Sequence, residues 1–109
     1  MVDRPSDKER LERLLDALAD FLEASPPAPS DFFARKVRAS ADEVRRRDAN
    51  GLRRFLDLHG GMGSLNDTYY HPANGNAASD REAEELQARF DELDRQAWQL
   101  AHDLLDRSG

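Results

Sequence analysis

The sequence predicts a mainly α protein: a three- to four-helix bundle with a long ordered loop, or a short hairpin, before its last helix. Three observations predict it. Apolar residues recur at intervals of three and four along separate stretches, the signature of a helix with one buried face. Proline- and glycine-rich breaks fall between those stretches. Ser6 with Glu9, and Ser79 with Glu82, have the spacing of a capping box where the first and last stretches begin. At 109 residues the chain suits one domain, residues 1–109, with a modest core.

The first helix carries Leu11, Leu14, Leu15, Leu18, Phe21 and Leu22 on one face, with Asp7, Glu9 and Glu12 near its positive dipole end. Ser25-Pro26-Pro27-Ala28-Pro29 ends it, because proline lacks the amide proton and restrains the residue before it. The second helix starts at Ser30 or Asp31 and shows the stripe Phe33, Val37, Ala41 and Val44, closed by Arg45-Arg46-Arg47. Asp48-Ala49-Asn50-Gly51 reads as a break, since Asn-Gly is a strong turn signal. Leu52, Phe55 and Leu56 then make one or two further turns up to Gly60-Gly61. In the last helix Leu86, Phe90, Leu93, Ala97, Leu100 and Leu104 alternate by four and three, a coiled-coil-like seam. Trp98, Ala101 and Leu105 widen it towards a core-facing stripe. The seam serves either a bundle core or a homodimer.

The net charge is −6, unevenly spread: −4 over residues 1–31, +4 over 32–58, −1 over 59–78 and −5 over 79–109. The acidic flanks either compensate the basic middle or meet a basic partner, as complementary potentials favour. The overall sign disfavours nucleic acid. There is no cysteine, which excludes disulfides, thiolate metal sites and a cysteine nucleophile and fits a reducing cytoplasm. The polar stretch Met1–Arg13 does not read as a signal peptide, and no apolar run approaches a membrane span. A cytoplasmic location is expected. Arginine outnumbers lysine 14 to 2, which suggests a GC-rich bacterial source.

The segment Gly60–Asn76 breaks the helical pattern and holds both tyrosines of the chain. Loops of this length in a compact domain tend to be functional or disordered, and this one has too few charges to suggest disorder. In one reading Gly60, Gly61 and Gly63 permit a tight reversal, and Ser64 caps a helical turn with Asp67 three residues on. In a second the glycine-rich turn offers amides to an anion, although it lacks the spacing and lysine of a P-loop. In a third Leu65–Tyr70 is a short strand, with Asn74-Gly75 as a hairpin turn and the tyrosines as partner anchors.

Catalytic constellations are thin. His59, Asp67 and His71 include metal-ligand types, but in no recognised spacing. Ser64, Asp67 and His71 contain the residue types of a hydrolase triad. No catalytic residue, cofactor or metal site is assigned. His102 reads as a boundary residue of the last helix.

The run Gly60-Gly61-Met62-Gly63-Ser64-Leu65-Asn66-Asp67 resembles the signature of a family of small uncharacterised bacterial proteins. There a Gly-Gly-Met-Gly-Ser-(Leu/Phe)-Asn-Asp segment is followed by a short extended stretch and a closing helix, to which Glu92–Ala101 is similar. The resemblance covers roughly residues 50–105; His71-Pro72 and Asn74-Gly75-Asn76 depart from it. It implies no specific chemistry. Small acidic bacterial proteins of this kind are often encoded beside secreted toxins as their immunity partners, which is an analogy of context.

The leading expectation is therefore a protein-binding module, with a toxin-neutralising immunity protein as its finer form. Asn66, Asp67, Tyr69, Tyr70 and His71 are its expected contacts, and Gly60, Gly61, Gly63 and Ser64 shape the loop. A metal-dependent or hydrolytic enzyme centred on residues 59–71, and a structural homodimer through the last helix, are the alternatives.

Overall fold

Ser6 accepts the Glu9 amide proton through its hydroxyl oxygen (3.2 Å), and helix α1 follows as Asp7–Ala24. The computed structural model describes residues 6–24, 30–59, 65, 70 and 77–108, and among these it forms four helices. Helix α2 is Ser30–Arg45, α3 is Asn50–Leu56 and α4 is Asp80–Ser108. Ser79 caps α4 as expected, accepting the Glu82 amide proton at 3.1 Å. The hairpin expected after Leu65 falls largely outside the described residues.

Each helix packs on two others: α1 on α2 and α4, and α3 on α2 and α4. The ion pairs give the directions. Arg38 reaches Glu23 and Asp20, whereas Arg45, seven residues further along α2, reaches back to Asp16. Arg107 near the end of α4 meets Asp7 at the start of α1, at 2.6 Å. Thus α1 runs antiparallel to both α2 and α4. The core gathers Leu11, Leu15, Leu18 and Leu22 of α1, Val37 and Ala41 of α2, Phe55 of α3, and Phe90 and Ala97 of α4, each essentially inaccessible. A fully buried leucine contributes roughly 1.5–3 kcal/mol, so these stripes dominate the stability.

Of the seam, Phe90, Leu93, Ala97 and Leu100 are buried within one chain, and Leu86 and Leu104 are partly buried against the same core. One expectation for α4 fails. Trp98 does not join the core; it stands 37% exposed, because its position lies on the flank of the stripe rather than at its centre.

The end of α2 also differs from expectation. The chain reverses at Arg46–Ala49, before the Asn-Gly pair. Arg47 N–H donates to Val44 O (3.0 Å) and Asp48 N–H to Glu43 O (2.9 Å), the two bonds of a Schellman closure. The left-handed position it requires is filled by Arg47, with φ 61°, where glycine is preferred. Gly51 instead lies within α3, at its closest approach to α2. A Cβ there would sit 2.8 Å from Ser40 O and 2.8 Å from Val44 N, both main-chain atoms.

Candidate binding groove

Three apolar or aromatic side chains of α3 and its continuation hold the short helix: Leu52 and Phe55 point into the core, and His59 turns towards α4. The imidazole of His59 packs edge-on against Phe55, with centroids 4.9 Å apart. Its Nδ1–H donates to Phe55 O (3.1 Å), because a carbonyl can only accept. Its Nε2 lies 2.8 Å from Asp94 Oδ1. One proton occupies that contact, so an ionised Asp94 requires the ring to carry both protons. Both side chains are only 11% exposed. This pair joins α3 to the middle of α4. It gives a partner to Asp94, which the periodicity of α4 puts on the apolar face with Phe90, Ala97 and Ala101.

The pair forms the floor of an open groove of about 460 Å³, lined further by Phe90, Asp91, Arg95 and Trp98. Trp98 forms one wall and meets His102 at a tilt, with centroids 4.5 Å apart and planes at 50°. Asp91 accepts a hydrogen bond from Gln87 (3.1 Å). Arg95 is turned to Glu92 (2.8 Å), and its hydrogen bonds, with that of Gln96, hold the Glu92 carboxyl below its ordinary range.

The glycine-rich motif begins at Gly60, the residue after His59. Two described residues, one within the motif and one just beyond it, are anchored. Leu65 N–H donates to Leu58 O (2.7 Å), and the Leu65 side chain is fully buried. Tyr70 is also fixed: its N–H donates to Gln87 Oε1 (3.0 Å), and its ring meets Phe21 edge-on at 5.7 Å and Phe90 at 6.2 Å. At 2% exposure Tyr70 packs the core and does not present its ring to a partner, contrary to expectation. An aromatic ring that can fill the gap between α1 and α4 gains more from burial than from solvent. Gly60, Gly61, Gly63, Ser64, Asn66, Asp67, Tyr69 and His71 lie outside the described residues, so the expected loop contacts and both catalytic combinations do too.

Among the described residues His, Asp and Glu form no cluster of three that could hold a metal ion. None of the described helices is long and apolar enough to cross a membrane. The charge blocks are partly matched inside the molecule. Arg38 is clamped by Glu23 and Asp20, which raises its pKa, while Arg38 lowers that of Glu23. Asp7 is lowered by Arg107 in the same way.

The chain matches no curated protein and no solved structure. Residues 28–79, which carry α2, α3, the His59 end of the groove and the glycine-rich motif, are similar to a family described as a domain of unknown function (DUF6966).

Proposed function

We propose that the chain is a protein-binding module that receives a basic partner in the groove between α3 and α4. The observation that carries this reading is Trp98, 37% exposed on an acidic helix, beside a groove whose floor is the His59–Asp94 pair. Tryptophan is over-represented among residues that anchor interfaces, and Asp91 beside it suits a cation. The segment 79–109 carries a net −5, which steers a basic partner towards it. Asn66, Asp67, Tyr69 and His71 follow His59 closely in sequence and are the further contacts this reading proposes. A general base or metal ligand needs a free ring nitrogen, and both nitrogens of His59 are engaged. This supports binding over catalysis at that residue. In its finer form the reading is a bacterial cytoplasmic immunity protein that occludes a basic toxin.

Trp98 is the sole tryptophan, so its fluorescence reports directly on the groove. Titration with a short arginine- and lysine-rich peptide is expected to shift that emission saturably, with affinity falling as salt rises. Asp91→Lys is expected to weaken the peptide about tenfold, which corresponds to ~1.4 kcal/mol. A flat titration, or one that Asp91→Lys leaves unchanged, rejects the groove as the docking site. The immunity form further requires that a partner crosslinked at position 98 be toxic to cells and neutralised by this chain.

A further inference from the structure

The basic middle of the chain has its own surface. Of its eight cations, Arg38 and Arg45 are taken up by Asp16, Asp20 and Glu23 of α1, and Arg54 by Glu43 of α2. Arg35, Lys36, Arg46, Arg47 and Arg53 form no ion pair among the described residues. Two of them, Lys36 and Arg53, line an open groove of about 500 Å³ between α2 and α3, together with Asn50, Arg54, Asp57 and Leu58. At its α2 side the Lys36 ammonium lies 5.3 Å from the centroid of the Phe32 ring. Phe32 is 55% exposed, the most open large apolar side chain among the described residues.

We infer that this α2–α3 groove binds an acidic segment of a partner protein that carries an apolar side chain among its carboxylates. Charge complementarity selects the sign: with Arg54 matched by Glu43, Lys36 and Arg53 still outnumber Asp57 there, on a molecule whose net charge of −6 would otherwise repel an acidic peptide. Phe32 supplies the apolar contact, since an exposed aromatic ring beside cations offers area that a simple anion does not use. The two cations without an ion pair stand on different helices, Lys36 on α2 and Arg53 on α3, so an occupant that meets both must bridge the two helices. Asp57 in the lining works against a dense polyanion. This surface is separate from the Trp98 groove: Leu58 lines one and the next residue, His59, lines the other, so the end of α3 divides them.

The test uses the full chain and a fluorescein-labelled peptide of alternating glutamate and leucine, followed by anisotropy. Saturable binding is expected, weakened about tenfold or more by Lys36→Glu with Arg53→Glu and about threefold by Phe32→Ser, consistent with loss of charge and of apolar contact. Trp98→Ala should leave it unchanged, which separates this result from that of the basic-partner titration. Lys36→Gln with Arg53→Gln gives a milder pair, and circular dichroism checks that each variant keeps its helices. Several outcomes overturn the inference: no binding by the wild type, equal binding by the charge variants, or equal binding of a glutamate–serine peptide lacking leucine. Tighter binding of a thymidine oligonucleotide or of phosphatidylserine vesicles overturns it in favour of nucleic acid or a lipid surface. Self-association abolished by Lys36→Glu, with no peptide binding, replaces the partner with a second copy.

Discussion

Helices α3 and α4 reach the same secondary structure by opposite routes. The 29 residues of α4 begin at a serine cap and carry an unbroken apolar stripe, so much of its helicity is local. The seven residues of α3 are far below the ~12–15 an isolated helix needs, and its N-cap residue Ala49 has no capping side chain, so that only the Asp48 carboxylate meets its first amide, that of Asn50 (2.9 Å). Its helicity is imposed from outside by Gly51 against α2, Phe55 in the core and His59 on α4. Both candidate grooves flank this dependent helix. Their geometry is therefore only as firm as those three contacts.

The largest way to break the comparison is Phe55→Ala. Phe55 is fully buried, and its truncation should cost about 3–5 kcal/mol, read as a lowered denaturation midpoint. An equal truncation at Leu86, which is only partly buried on α4, should cost clearly less. Next is Gly51→Ala. The added Cβ would meet main-chain atoms that cannot rotate away, so α3 must separate from α2 at about 1–3 kcal/mol. A neutral or stabilising result in thermal melts would mean that α3 is less tightly held than its packing indicates.

The His59–Asp94 pair gives a double-mutant test. Asp94→Leu leaves a nearly buried ring nitrogen without its acceptor, an expected loss of about 1–3 kcal/mol. Adding His59→Leu removes both polar partners, and the double variant should lose less than the two single losses combined. Additive losses would show that the pair does not couple α3 to α4. The smallest effect has the opposite sign. Arg47→Gly relieves a left-handed residue at the α2 closure and should raise stability by about 0.5–1 kcal/mol in urea unfolding.

The long helices were legible because their signals are local. Ser6 and Ser79 mark the starts of α1 and α4, and the apolar stripes of α1 and α2 mark their buried faces. Gly51 was misread because an Asn-Gly pair announces a turn only when no neighbour claims the glycine. Here the neighbouring main chain of α2 claims it. Trp98 and Tyr70 exchanged their expected places for a similar reason. An aromatic side chain is at home in a core or at a contact surface, and only the packing around it decides which. Asp94 was overlooked. Its partner lies 35 residues away, and the one local sign is its place on the apolar face of α4, four residues after Phe90 and three before Ala97, where an acid needs a partner.

The pairing of Asp7 with Arg107 spans 100 residues and closes α1 against α4. During synthesis α1 leaves the ribosome long before α4 exists, so its α4-facing side must wait in water while α2 covers the other side. Contacts of such separation slow folding, because the intervening chain must be ordered before they form. Until α4 is made, the apolar flank of α1 that faces it has nothing to cover it. That interval is when the nascent protein is most open to a chaperone, and most exposed to aggregation.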